Sequence, residues 1–295
     1  MTETSTAAAV ETRTLEVPGA TVTYDVRGDL SSGTTPLFLI GSPMDASGFG
    51  TLAGHFTDRP VVTYDPRGTG RSTRPDHTLE QTPDDHAVDL HAVVEALGVG
   101  PVDVFASSGG AVNALAWVAA HPGDVRTLVA HEPPLLEVLE DRDTAVAVTK
   151  DMHATYLREG MGPAMAKFIA LVSHQGPLPD DYLDQPAPPP QAFGLPAEDD
   201  GSRDDPLLGQ NLRGCCLYHA DLDAVAAAST RVVVAVGEES AQEGAGRGGA
   251  GVAARIGVPV TSFPSNHSGF LGGEYGQHGK PDEFAARLRE VLSGS

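Results

Sequence analysis

Apolar and polar positions alternate over Leu15–Val17 and Thr21–Val26, and Gly19 between them suits a turn, so the chain is expected to open with an antiparallel hairpin. Continuous apolar runs follow at Pro36–Ile40 and Val61–Tyr64, the second closing on Asp65-Pro66-Arg67-Gly68. Runs of that kind predict strands buried on both faces. Further strands are expected at Val102–Phe105, Arg126–Ala130, Arg231–Val236 and Pro259–Phe263. Thr82-Pro83-Asp84-Asp85 reads as a helix start, with an N-cap threonine, a first-turn proline and two acids at the positive helix end. That helix offers Val88, Val93, Val94 and Leu97 as its apolar face and carries His86 and His91 towards the surface. Helices are also predicted at Ala111–Ala120 and Pro281–Leu292. This alternation implies an α/β fold, a mainly parallel sheet with helices on both faces.

The rhythm breaks between Leu135 and Thr230. Leu136–Val172 reads as helical with an interruption near Gly160–Pro163, and Val138, Val146, Met152, Met161, Met165, Phe168 and Leu171 are available for apolar faces. Residues 176–206 are rich in proline and acids, including Pro186-Ala187-Pro188-Pro189-Pro190, and are expected to be irregular and mobile. The expected division is a core of residues 1–134 and 231–295 with a helical cap insertion at 135–230. Core strands on both sides make a separate small domain the weaker reading.

Composition narrows the function. A single α/β domain of 295 residues is ordinary, and no apolar run is long enough to span a bilayer. Nineteen Lys and Arg against 40 Asp and Glu give a formal charge of −21, whose field repels phosphate backbones and anionic membranes. No nucleic-acid partner and no membrane association are expected. Met1–Thr14 carries Glu3 and Glu11 and has neither a basic start nor an apolar centre, so a cytoplasmic location is expected. The two cysteines, Cys215 and Cys216, are adjacent and poorly placed for a disulfide, and are read as reduced packing residues. No cofactor and no metal are expected, and the oligomeric state stays open.

The sharpest chemical signal is Val102-Asp103-Val104-Phe105-Ala106-Ser107-Ser108-Gly109-Gly110-Ala111: a strand, a small-x-Ser-x-Gly turn, then a helical run. A nucleophile elbow has this layout, and it needs small residues two before and two after the serine. Ala106 and Gly110 satisfy that around Ser108, whereas Ser107 would place Phe105 at the crowded position. Ser108 is therefore the candidate nucleophile.

With three further landmarks in the same order, the chain resembles the α/β-hydrolase fold family over nearly its whole length. Leu39-Ile40-Gly41-Ser42-Pro43 is similar to the loop after the third strand, with Ile40 where histidine is usual. Asp65-Pro66-Arg67-Gly68-Thr69-Gly70-Arg71-Ser72 is similar to the loop after the fourth, and is read as structural. Asn266-His267-Ser268-Gly269-Phe270 is similar to the histidine loop after the last strand. The resemblance implies His267 as general base and the backbone N–H groups of Ser42 and Gly109 as oxyanion donors. His121, at a helix end, and His131, leading into a strand-end turn, have bland readings.

The chain departs from the family at the third triad member. Gly237-Glu238-Glu239-Ser240 puts serine where the family shows Gly-x-x-Asp. Glu132 in Ala130-His131-Glu132-Pro133-Pro134 is the favoured substitute, because some haloalkane dehalogenases carry their acid at that strand end; Glu239 and then Glu238 are the alternatives. A histidine working without a carboxylate is a further alternative. A serine nucleophile implies acyl transfer to water on a small ester, lactone or thioester, with amide and carbon–carbon bonds open. A silent small-molecule binding protein and a water-free cyclase or lyase are the competing readings.

Overall fold

The computed structural model describes residues 10–75 and 80–294; the reading of the N-terminal leader therefore lies, for residues 1–9, outside the described residues. Eight strands form one sheet: β1 (Val10–Val17), β2 (Ala20–Arg27), β3 (Leu37–Ile40), β4 (Val61–Asp65), β5 (Val102–Ser107), β6 (Val125–His131), β7 (Arg231–Gly237) and β8 (Val260–Phe263). Their order is β1-β2-β4-β3-β5-β6-β7-β8. The hairpin β1–β2 joins β4 antiparallel, and every pairing from β4 to β8 is parallel.

Helices among the described residues are α1 (Gly50–Gly54), α2 (Pro83–Leu97), α3 (Gly109–Ala120), α4 (Arg142–Glu159), α5 (Met161–Val172), α6 (Leu212–Cys216), α7 (Leu222–Ala227), α8 (Gly244–Ile256) and α9 (Pro281–Ser293). None is long and apolar enough to cross a membrane. Strand side chains divide between the two faces with period two. Phe38, Ile40, Val104 and Ala106 pack with α2, α3, α7 and α8. Leu37, Leu39 and Phe105 face the other way, against Leu52 of α1 and Phe284 and Leu288 of α9.

Helix α2 begins as expected, with a reciprocal capping box between Thr82 and Asp85. Its buried face differs from the expected one. Val88 is exposed, whereas His86 and Asp89 are buried. Asp89 is turned inward by Arg67, which donates to both its carboxylate oxygens at 2.8 and 2.6 Å. That fork ties the loop after β4 to α2. Asp65 accepts from Arg71 and Ser72 donates to the Asp65 carbonyl, which gives the Asp65–Ser72 loop a structural role.

Between β6 and β7, the expected helical stretch is α4 and α5, separated at Gly160, whose positive φ stops α4. Within residues 176–205 the only helical pieces are short 3-10 turns at Tyr182–Asp184 and Pro190–Phe193, and Pro206 opens a π-helical stretch, Pro206–Asn211. Leu178 is anchored against Ala145 and Val148 of α4. Met152, Tyr156, Ala164, Leu208 and Leu212 make a small core of their own. The end of the interval behaves differently: Cys215, Leu222 and Val225 join the main core on α3's side of the sheet.

Candidate active site

Strand β5 stops at Ser107, and Ser108 takes φ 57°, ψ −128° before α3 begins at Gly109. A non-glycine residue in that region is strained and persists only where packing enforces it. The enforcement is visible in the neighbours. A Cβ on Gly110 would stand 2.7 Å from the Ile40 carbonyl oxygen, and one on Gly109 would stand 2.6 Å from that of Ser42. The elbow thus presses directly on the loop after β3, and the N-terminus of α3 lies beneath the serine, where its dipole favours developing negative charge. Ser107 remains in the strand, buried, with its hydroxyl 3.0 Å from His131 Nδ1.

His267 lies in the loop after β8, and its Nδ1 is 2.5 Å from Glu132 Oε2. Glu132 follows β6 at φ 49° and is fully buried. Its other oxygen, Oε1, accepts from the Gly237 backbone N–H at 2.8 Å and from the Ser240 hydroxyl at 2.5 Å. The serine standing where an aspartate is usual therefore secures the glutamate that reaches the histidine. Burial opposes the charge on Glu132, but the hydrogen bond from His267, the nearby histidines and the Ser240 hydroxyl outweigh it and hold the carboxyl down at about 2. Burial pulls His267 the other way, towards the neutral form, yet the bond and charge of Glu132, with Glu243 beyond, raise it above its ordinary value.

The other two glutamates are elsewhere. Glu239 accepts from Lys280 Nζ at 2.6 Å, and Glu238 accepts from the Ser262 hydroxyl at 3.3 Å. Neither contacts His267, so of the three candidate acids the fold brings only Glu132 to the imidazole.

His131 is not the bland turn residue expected from sequence. It is fully buried, stacks on His267 with centroids 5.8 Å apart, and burial pushes it down to about 4. Its Nε2 is 4.0 Å from Glu132 Oε1. No local signal marks this role, because its partners come from β5 and from the loop after β8.

Ser108, His267, Ser42 and Gly109 all line one cavity of about 570 Å³ at the carboxyl ends of the parallel strands. That is the usual binding crevice of an open α/β sheet. Phe168, Leu171, Leu207 and Leu212 from the β6–β7 interval contribute apolar side chains to its lining. Cys215 also borders the cavity and is buried among packing partners; burial pushes its thiol well up, so it is protonated and inert.

Among the described residues, one grouping has the donor types for a metal: His91, His121 and Asp124. The two imidazoles are stacked, 3.8 Å apart and 9° from parallel, so their lone pairs run side by side rather than converging. Asp124 Oδ2 already accepts from Trp117 Nε1 and pairs with His91 Nδ1. The grouping lies at the far end of α3 from Ser108.

Comparison with known proteins agrees with this fold. Residues 45–186 match the family model described as alpha/beta hydrolase fold. The uncharacterised hydrolase YraK of Bacillus subtilis is 37% identical over 131 residues, covering 44% of this chain and 47% of that protein. A proline iminopeptidase of Heyndrickxia coagulans is 29% identical over 133 residues, 44% of this chain and 45% of its own length. The chain thus spans about half the length of the curated relatives it matches. A solved structure from a study of carboxylesterases of Nitrososphaera gargenis superposes with a TM-score of 0.67, at 17% identity, over 95% of this chain and 98% of that one. A putative aryl esterase from Burkholderia cenocepacia gives 0.66, at 17% identity, over 96% and 98%.

Proposed function

We propose that this chain, which has the α/β-hydrolase fold, is a serine hydrolase that cleaves a small ester, lactone or thioester through an acyl-enzyme on Ser108. One observation carries the reading: a strained serine and a histidine oriented by a buried glutamate line the same cavity. Ser108 Oγ attacks the carbonyl carbon as His267 Nε2 accepts its proton. The imidazolium so formed is stabilised by Glu132, whose carboxylate is held ionised. The carbonyl oxygen, now negative, is received by the backbone N–H groups of Ser42 and Gly109. Collapse expels the alcohol or thiol with the proton from His267. Water then attacks the acyl-enzyme with His267 again as base, and Ser108 is regenerated.

The binding-protein alternative draws on serine at position 240; the bond between Glu132 and His267, with Ser240 donating to the same carboxylate, supports the hydrolase reading over it. The test is hydrolysis of 4-nitrophenyl acetate and butyrate, together with fluorophosphonate labelling, by wild type and Ser108→Ala. Turnover and labelling that vanish in the variant support the reading. Wild type at the level of Ser108→Ala in both assays rejects it.

A further inference from the structure

We propose that Glu243 is a cation subsite of the Ser108 cavity, taking a protonated amino group carried by the substrate. The proposal rests on the serine-hydrolase reading above and adds a substrate class to it: esters or amides bearing an ammonium group a short distance from the scissile carbonyl.

Glu243 is the N-cap residue of α8 and lines the cavity together with Ser108 and His267. The cation one turn further along its own helix does not serve it. Arg247 turns away to fork onto both carboxylate oxygens of Asp141 and to donate to the Gly176 carbonyl. Among the described residues, the side chain found on Glu243 is an uncharged amide, Gln175 Nε2 at 3.2 Å, and no Lys or Arg pairs with it. Besides His174 and His267, the ionisable residues that line the cavity with Glu243 include Asp141 and Arg247. Arg247 pairs with Asp141, which leaves Glu243 without a Lys or Arg partner in the cavity among the described residues.

The N-terminus of α8 favours the Glu243 carboxylate, but Glu243 makes no side-chain cap bond there and, among the described residues, has no Lys or Arg beside it. Burial and the charge on Glu132 push its carboxyl up, against weaker help from His267 and Gln175. An ammonium group arriving there would replace the water the carboxylate loses and form a charge-assisted hydrogen bond. Phe168, Leu171, Leu207 and Leu212 supply apolar lining for an alkyl chain in the same cavity, whose volume is about 570 Å³. The chain's net charge of −21 also draws cations towards the surface.

Two measurements test the subsite. The first needs no turnover: calorimetric binding of n-hexylamine, protonated at neutral pH, against n-hexanol, to wild type and Glu243→Gln. Wild type is expected to bind the amine at least about tenfold more tightly, and Glu243→Gln to lose that preference. The second compares kcat/KM for dimethylaminoethyl butyrate against isoamyl butyrate, and for ethyl 4-(dimethylamino)butyrate against its carbon isostere ethyl 5-methylhexanoate. These pairs place the cation on the alcohol or the acyl side. The cation-to-neutral ratio should exceed about ten in at least one pair and fall to about one in Glu243→Gln, the neutral ester correcting for any general loss of rate. Equal binding of amine and alcohol, or a preference that survives Glu243→Gln, overturns the subsite. Failure of the hydrolase reading has a different signature: no ester is cleaved and Ser108 is not labelled, while the amine preference is still read by calorimetry.

Discussion

Replacing Glu132 by glutamine should disable the site through both charge and tautomer. The surroundings of Glu132 lower its carboxyl from the ordinary 4.5 to about 2, which corresponds to about 3 kcal/mol of preference for the ionised form. That preference sums the effects of His267, His131 and Ser240, and the share facing His267 bears on the imidazolium formed as the serine is deprotonated. The hydrogen-bond pattern adds to it. Oε1 accepts from Gly237 N–H and Ser240 Oγ, so a glutamine keeps its carbonyl there and turns its NH2 towards His267. Nδ1 must then accept, Nε2 carries the proton, and the base facing Ser108 is lost. The expected fall in kcat for 4-nitrophenyl butyrate is about 10³–10⁴-fold. In wild type, kcat/KM should rise with pH through a limb above the ordinary histidine value, because Glu132 raises His267 and only neutral imidazole accepts the serine's proton. In Glu132→Gln that limb should move to lower pH. Activity within tenfold of wild type, or an equal loss in Glu239→Gln, would refute the assignment of Glu132.

Three further outcomes follow from the same structure. Glu132→Gly combined with Ser240→Asp should recover at least about tenfold of the activity missing in Glu132→Gly alone, since glycine suits φ 49° and an aspartate at 240 stands where Glu132 is now anchored; no recovery in the ester assay would show that position 240 cannot reach His267. Gly110→Ala should lower stability by about 1–3 kcal/mol in urea unfolding and abolish labelling of Ser108, because the new methyl meets the rigid Ile40 carbonyl at 2.7 Å; a fully stable, labelled variant contradicts this. Acid should weaken the fold early: His131 and His86 are buried and lowered to about 4 and about 3, so between about pH 6.5 and 4 the unfolded chain binds more protons. Stability should therefore be present above pH 6.5 and fall below it by up to about 1.4 kcal/mol per pH unit for each histidine, and His131→Gln should reduce the slope measured by urea unfolding at several pH values; an unchanged slope removes His131 from the account.

The parts of this protein that can be read in the chain are those set by neighbours a few residues away. Period-two and continuous apolar runs give the strands, Thr82 and Asp85 cap α2 reciprocally, and the small residues around Ser108 announce a turn that only they can fit. The acid beside His267 was not of that kind. Three glutamates satisfied the chain order, and choosing among them required knowing that Glu132 and Ser240, 108 positions apart, share a hydrogen bond across adjacent parallel strands while Lys280 holds Glu239. His86 reads as a surface-helix residue and His131 as a strand-end turn residue because a polar side chain carries no local mark of burial; α2 and β6 bury them by packing against elements far away in sequence. That Glu243 has no Lys or Arg partner among the described residues depends likewise on Arg247 choosing Asp141, 106 positions away, over Glu243 one turn behind it. Local sterics and periodicity act within a few residues and are written in the sequence, whereas hydrogen-bond partners and burial are set by which strands and loops the folded sheet places side by side.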